Sequence, residues 1–460
     1  MATISNSDSL HGVFQDFIAG HPNIKFTFLS DAAWADITKC FIKTSSSPSI
    51  VARPKDASHV QELVRFCVSY SIDFVVRSGG HDCTGRSQVN GALTIDMRDI
   101  KSVNISEDKT TAEIGGGIIT RELTKALDAE GLITPTKIRA PNASVGYVGW
   151  STLGGYSPLS NKYGLGVDQV IGAKYVNAEG ALIEAGEEEL KAMRGGGGCL
   201  GIITEMTIKV YSLNEILEGT FVFESTNKHA AWASFISEYN KLTASEDIPN
   251  CLSTQLTGVA IPHAGNIFTV SCLWADEDHD EGRKWMTKII GLGNCVREVT
   301  KVASWPAYCE EKEKLAGYGV FGRARTLNFK DLTPKTVEIL AKYNESIPGP
   351  GSLLSIQFHR DPGHRLDSVF SPRCDHYWLE IIATSLEEAG AEAADQWALN
   401  LQRELMEHDP ENILDSAYLG FVDDGEVDLK RNFGAGFESL MAVKQRVDPG
   451  NVFKNTIPRL

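Results

Sequence analysis

The sequence predicts an α+β protein in at least two parts, and three observations carry that reading. The chain has 460 residues, more than one ordinary hydrophobic core organises. Up to about residue 210, short β-branched runs alternate with helical patterns and recurring glycine clusters. From about 211 to 415 those clusters thin out, and strand-like runs alternate with longer helices.

In the first region the strand candidates are SIVARP, DFVVRSGG, ALTIDM, TAEIGGG, VIGAKYVNAEGALIEA and IITEMTIKVY. Between them DASHVQELVRFCVSYS and TRELTKALDAEG repeat apolar residues at helical spacing and close on polar or glycine punctuation. That alternation suits an α+β or α/β domain. In the second region GTFVFES, NIFTVSCLW, SLLSIQFH and HYWLEIIATS read as strands, with TPKTVEILAKYN and EEAGAEAADQWALNLQRELMEH as helices. The expectation is an antiparallel sheet with helices on one face. The tail, 416–460, ends in a helix stopped by Asp448-Pro449-Gly450 and an extended segment. No internal repeat or low-complexity tract is present.

Composition narrows the function. Lys and Arg number 44 against 60 Asp and Glu, a net charge of −16. Nucleic acids and anionic membranes need a basic footprint, so neither is an expected partner. Nine cysteines with no C-x-x-C spacing suit free thiols in a reducing compartment, not a disulfide framework or a metal site. The N-terminus lacks a basic start and apolar run, and no stretch of 18 apolar residues occurs. A cytoplasmic location is expected; the closing Pro-Arg-Leu loosely resembles a peroxisomal signal and leaves that compartment as the alternative.

Four glycine-rich turns fall in the first 201 residues: Gly79–Gly80, Gly115–Gly117, Gly146 to Gly155 and Gly195–Gly198. Glycine allows positive φ and close backbone approach, and the exposed N–H groups of such turns form nests for anionic oxygens. One glycine pair is ordinarily a tight turn. Four in one region suggest a large phosphate-bearing cofactor lying along loops. The nicotinamide fingerprint and the P-loop are both absent, so those two routes to a nucleotide are set aside.

VARPKDASHVQELVRFCVSYSIDFVVRSGGHDCTGRS, followed by GALTIDMRDIKSVNI and AEIGGG, resembles the PCMH-type FAD-binding domain of the vanillyl-alcohol oxidase superfamily. Within it the match is to berberine-bridge-enzyme-like oxidases and the 6-hydroxy-D-nicotine oxidase type. The resemblance continues through SVGYVGWSTLGGYSPLSNKYGLGVDQVIGAKYVNAEG and RGGGGCLGIITEMTIKVY, and returns in LMAVKQRVDPGNVF. It implies a two-part FAD-binding domain, 1–210 and 416–460, with a substrate domain, 211–415, inserted between.

The same resemblance implies that His81 carries the flavin through a ring nitrogen bonded to the 8α-methyl carbon. Asn142 stands where many members have a second, cysteinyl attachment, so a single link is expected. It places Arg77, Ser78, Gly79, Gly80, His81, Cys83, Gly85 and Ser87 at the cofactor. It adds Val145, Gly146, Gly149, Ser151, Thr152, Gly155, Gly201, Ile203 and Asn455. Val145 occupies the position that governs oxygen access, where a small side chain goes with oxidases. Leu153 and Ser157 stand where the family usually has glycines and point to an altered loop near the flavin, and Cys199-Leu200 replaces the family's common Asn-Phe.

Acid–base residues must come from the second domain's sheet. Alternation in HYWLEIIATS puts Trp378 and Glu380 on one face and Tyr377 and Leu379 on the other. A glutamate in an apolar strand is costly to bury, so Glu380 is either solvent-facing or functional. The resemblance places a catalytic carboxylate close to this segment. Glu380 is therefore the leading base and Trp378 its companion in the site. His359 on a neighbouring strand is the second candidate, with a structural or rim histidine as its plainer reading. Phe421 stands where plant members keep a tyrosine, and Tyr418 reads as core. Arg323, Arg325 and Arg373 could hold an acidic substrate group, but surface salt bridges are the simpler account.

The implied activity is oxidation of a small hydrophobic, alkaloid-like or polyketide-like molecule by hydride transfer to flavin N5, with dioxygen as acceptor and hydrogen peroxide as product. The alternatives are a flavin-retaining but redox-neutral cyclase or lyase and, from another class, a non-catalytic binding protein.

Overall fold

A computed structural model describes residues 7–137, 144–262, 265–313 and 317–460. Asn142 lies outside the described residues. The α+β class follows from three main sheets and the helices that cover them.

The N-terminal region holds a mixed four-stranded sheet in the order Lys25–Thr27, Ile50–Arg53, Leu93–Asp96, Phe74–Arg77. The last two run parallel, Arg77 opposite Asp96. Helix Ala57–Ser69 covers this sheet. It starts where the Asp56 side chain accepts a hydrogen bond from the His59 N–H at 3.0 Å, a cap worth about 1 kcal/mol. Its buried stripe, Val60, Leu63, Val64 and Cys67, has the i, i+3, i+4, i+7 spacing visible in the sequence. The helix ends two residues sooner than its pattern because Ser71 turns to φ +54°.

A five-stranded antiparallel sheet follows, ordered Val103–Ile105, Thr111–Gly115, Ile202–Lys209, Val170–Val176, Leu182–Glu184. Helix Gly436–Val447 in the tail packs beside helix Glu187–Gly196, and Phe453 meets Phe74 edge-on at 5.9 Å within the first sheet's core.

The third sheet has seven strands, antiparallel throughout: Cys295–Ala303, Ile216–Phe223, Gly265–Trp274, Leu252–Ile261, Leu353–His359, His376–Ser385 and Phe321–Phe329. Helices Lys228–Ser245, His279–Ile290, Pro334–Glu345 and Ala391–His408 back one face. Period-two alternation divides strand His376–Ser385 as the sequence implies: Tyr377, Leu379, Ile381 and Ala383 enter the helix-side core, while Trp378 joins the core of the N-terminal region. The sheet's second face is thus a wall of the site. No described helix is long and apolar enough to cross a membrane.

Candidate active site

A cleft of about 160 Å³ opens where the first two sheets and the tail meet. Val75, Val76 and Ser78 line it from the end of strand Phe74–Arg77, Gly116 from one glycine cluster, Gly197 and Gly198 from another, and Asn455 to Ile457 from the tail. The loop carrying Ser78 to His81 leaves the carboxyl end of a parallel strand, a recurrent position for ligand sites in such sheets. Asp82 and Arg86 are the charged residues of the lining, and they pair with each other at 2.8 Å, both nearly fully buried. No unbalanced carboxylate therefore faces the cleft to repel an anionic ligand.

The glycines divide into two kinds. A β-carbon on Gly79 would lie 2.2 Å from the Ser144 carbonyl oxygen and 2.4 Å from the Gly146 nitrogen; one on Gly146 would meet Ser78 Oγ at 1.8 Å. These glycines let the 78–81 loop pack directly on the 144–146 turn. Gly149 is different: it lines the cleft, and a β-carbon there would meet no protein atom within 4 Å. Side chains at that position would enter the ligand's space, as a cradle for a large cofactor requires. A dinucleotide fits this donor set of backbone amides, small side chains and one neutralised ion pair.

His81 sits behind that loop junction. Its Nε2 is 3.0 Å from Ser144 Oγ, and its ring lies between Phe41 at 5.7 Å and Tyr318 at 4.8 Å. The Tyr318 hydroxyl donates to the Gly79 carbonyl at 2.7 Å, holding the loop. Burial, then the charges of Lys137 and Arg77, push the imidazole pKa down to about 3, so the ring is neutral at physiological pH.

On the facing sheet, Glu380 is 1% exposed, opposite Thr326 on one neighbouring strand and Ser355 on the other. Ser355 Oγ donates to its carboxylate at 3.5 Å, and Lys137 Nζ lies 3.9 Å from Oε1. The same ammonium stands 4.2 Å from the centre of the Phe421 ring. Trp378 stacks on Tyr156 at 4.4 Å and approaches Tyr418 and Phe421. Its indole N–H donates to Thr326 Oγ1 at 2.9 Å. Cys83 lies in the electrostatic reach of both Lys137 and Glu380, and burial pushes its thiol up to about 12. The structure thus gathers Cys83, Lys137, Trp378, Glu380, Tyr418 and Phe421 around one locus.

The residues expected at the cofactor have different neighbours in the structure. Ser78, Ser87, Gly149, Thr152, Gly201, Ile203 and Asn455 line the cleft. The Arg77 guanidinium instead donates to the Ile37 carbonyl at 2.5 Å and to that of Lys39, pinning a distant segment. Gly80 takes φ +71° with its α-carbon turned to Arg77 and Cys40. Gly85 packs on Thr44, Gly155 on Gly166, and Val145 enters the core. Ser151 Oγ donates to the Val148 carbonyl within its own helix. His359 pairs with His376, four residues along the strand from Glu380, roughly 13 Å away. It is buried against Tyr156 and His376, not beside the carboxylate. Arg323, Arg325 and Arg373 all make ion pairs, with Glu426, Asp395 and Asp168, but Arg325 is only 5% exposed, so surface bridges describe it poorly.

Sequence reasoning passed over Asp82, Arg86 and Lys137. The first two carry an i, i+4 opposite-charge signal directly after His81. Lys137, in TPTKI, carries no motif or periodicity, and only the tertiary fold brings it to Glu380.

Fold and cleft together define a protein built to hold a dinucleotide between two sheets and present it to a third. Residues 48–186 match the FAD binding domain family, and residues 417–457 match the berberine and berberine-like family. The chain is 30% identical over 449 residues to FAD-linked oxidoreductase aurO of Gibberella zeae, covering 94% of this chain and 85% of that one. It is 32% identical over 202 residues to (R)-6-hydroxynicotine oxidase of Paenarthrobacter nicotinovorans, 43% of this chain and 42% of the relative. Among solved structures, BBE-like 1 of Physcomitrella patens superposes with a TM-score of 0.82 at 17% identity, covering 96% of this chain and 97% of that one. The 6-hydroxy-D-nicotine oxidase of Arthrobacter nicotinovorans superposes with a TM-score of 0.77 at 21% identity, over 95% and 97%. At such identities these two establish the fold. The chain belongs to the berberine-bridge-enzyme-like family of FAD-dependent oxidoreductases.

Proposed function

We propose that this protein is an oxidase whose FAD is joined to the chain through a ring nitrogen of His81 alone, and that it oxidises a small hydrophobic metabolite with dioxygen as acceptor. Residues 1–210 and 416–460 hold the cofactor in this reading, and 211–415 supply the substrate wall. The observation that carries it is the junction at His81: the glycine-lined cleft lies on one side, and the buried Glu380–Lys137 pair with its aromatic wall on the other.

Ser78, Ser87, Gly149, Thr152, Gly201, Ile203 and Asn455 would hold the cofactor, chiefly through backbone amides. Bound there, FAD supplies a two-electron acceptor that dioxygen reoxidises to give hydrogen peroxide. A neutral His81 keeps a nucleophilic nitrogen for the bond to the flavin methyl carbon. Asn142 supplies no sulfur for a second bond, which supports a single attachment. Glu380 accepts the substrate's O–H or N–H proton, Trp378 fixes the substrate plane, and the aromatic wall excludes water. His359 is left outside the chemistry.

Intact-mass and peroxide measurements on wild type, His81→Ala and Glu380→Gln test the proposal. Wild type should carry one added FAD after acid denaturation, and His81→Ala none. Glu380→Gln should keep the linked flavin and lose most peroxide formation. A wild type that releases all its flavin refutes the covalent link. Substrate turnover without peroxide selects the redox-neutral cyclase.

A further inference from the structure

We infer that Asp424 is a positioning residue: by binding Arg86 and Arg459 at once, it ties the loop after His81 to the tail. It thereby closes the cofactor cleft and fixes the aromatic wall together. This deepens the oxidase reading and rests on it for the cofactor's place in the cleft. Three observations lead there.

The first is that one carboxylate is divided between two arginines. Arg86 Nη1 donates to Asp424 Oδ1 at 3.1 Å, and Arg459 Nη1 donates to Oδ2 at 2.7 Å. These partners lie far apart in the chain, yet both belong to the cleft. Arg86 lines it, nearly fully buried, and Arg459 follows Asn455 to Ile457, the tail residues of the lining. Asp424 is not part of the lining, so it acts through its partners.

The second is what Arg86 holds besides. Its Nη2 donates to the Leu419 carbonyl at 2.9 Å, and the neighbouring Cys83 N–H donates to the Gly420 carbonyl at 3.2 Å. Leu419 and Gly420 lie between Tyr418 and Phe421, whose rings approach Trp378 at 6.1 and 5.9 Å. The guanidinium thus grips this segment twice, at a carbonyl within the wall and at the carboxylate just past it.

The third is how the tail seats. A β-carbon on Gly197 would stand 2.5 Å from the Ile457 carbonyl oxygen, so the tail lies directly on the glycine turn across the cleft. Asn455 Nδ2 donates to the Phe74 carbonyl at 2.9 Å on one side of Ile457, and Arg459 meets Asp424 on the other. Lifting the tail therefore opens the cleft.

An isolated pair as exposed as Asp424 and Arg459, at 37% and 32%, contributes little. Here the carboxylate also meets a buried guanidinium, which makes a stronger, charge-assisted bond. Neighbouring acids are engaged elsewhere. Asp423 and Glu426 bind Arg323 and Arg325, and Asp82 already takes Nε and Nη2 of Arg86.

The test begins with hydrogen exchange on flavin-loaded protein. Amides of 418–424 and 455–459 should both exchange about tenfold faster in Asp424→Asn, while helix Ala57–Ser69 stays as in wild type. Asp424→Glu should return both segments toward wild type. Arg459→Met should speed the tail alone, because Arg86 keeps its carboxylate. In a His81→Ala background, which makes the flavin exchangeable, Asp424→Asn should release FAD about tenfold faster. Concentrated sodium chloride should speed that release more in the protein with Asp424 than in the one with asparagine. Exchange that rises in the tail alone in Asp424→Asn, or in neither segment, overturns the inference, as does unchanged FAD release. If His81→Ala binds no FAD, the exchange pattern decides. Wild type that releases all its flavin on denaturation sinks the covalent oxidase reading alone, since exchange is read on loaded protein whatever the bond.

Discussion

Lys444→Met would test how the tail holds the cofactor cleft together. Lys444 Nζ lies 2.6 Å from Asp448 Oδ2, with side-chain exposures of 6% and 0%, and it also donates to the Cys199 carbonyl at 2.8 Å. Asp448 in turn accepts the backbone N–H of Val452 at 2.8 Å and of Phe453 at 3.1 Å. This one pair fixes the glycine turn at 197–199 and the chain reversal that leads to Asn455, Thr456 and Ile457 in the cleft lining. Methionine fills similar space but leaves a buried carboxylate without its cation. Breaking one side of a buried pair costs roughly 3–5 kcal/mol, and the two remaining amide donors place this case near the lower end, about 3 kcal/mol. That is about a hundredfold in the folded-to-unfolded ratio. Urea unfolding followed by tryptophan fluorescence reads the stability, and flavin absorbance per chain reads the cleft; both should fall. The paired change Lys444→Met with Asp448→Asn should cost less than the sum of the single changes, because no unpaired charge is then buried. An unfolding midpoint within about 0.5 kcal/mol of wild type, with full flavin content, would refute the reasoning.

Gly79→Ala and Gly149→Ala should part company. The first forces a β-carbon onto backbone atoms at 2.2 and 2.4 Å and should lower thermal stability by about 1–3 kcal/mol or more, while the second meets no protein atom and should lower flavin occupancy with little change in melting. His376 supplies a pH dependence: burial, only partly offset by its hydrogen bond to the Cys374 carbonyl, pushes its pKa from an ordinary 6.5 down to about 4. The unfolded chain therefore binds this proton between pH 6.5 and 4 while the folded one does not, so its contribution is complete above pH 6.5 and is lost as pH falls through that window, of order 3 kcal/mol in all. Urea midpoints of wild type and His376→Gln across that window should show a shallower acid decline in the variant.

What the sequence made legible was local. The Asp56 cap and its four-residue apolar stripe predict helix Ala57–Ser69 because capping and 3.6-residue periodicity act within a few residues. The split of Trp378 and Glu380 from Tyr377 and Leu379 was equally readable, since strand alternation needs no knowledge of the partner. Long-range pairing was not legible. The motif around Arg77 does not tell where its side chain goes, and its guanidinium serves carbonyls some forty residues earlier in the chain. Arg325 was expected at the surface and lies buried between Asp395 and Glu426, which come from a helix and a tail segment that only the fold brings together. Lys137 was missed for the same reason: its importance lies in Glu380 and Phe421, each more than two hundred residues away in the sequence.

Glu380 shows why fold and site cannot be separated in this protein. It sits in an inner strand of a seven-stranded sheet, where a carboxylate is costly unless balanced. Its placement depends on parity. A slip of one residue in strand His376–Ser385 would drive Glu380 into the helix-side core and swing Leu379 or Ile381 toward Lys137. Opposing that slip are Tyr377, Leu379, Ile381 and Ala383, packed beneath the helices, together with hydrogen-bonded neighbours on both sides that set Thr326 and Ser355 across from Glu380. Burial of the even-spaced apolar set thus bears the cost of exposing the acid to the site. The helices on the far face, which touch no ligand, are what fix the position of the proposed base.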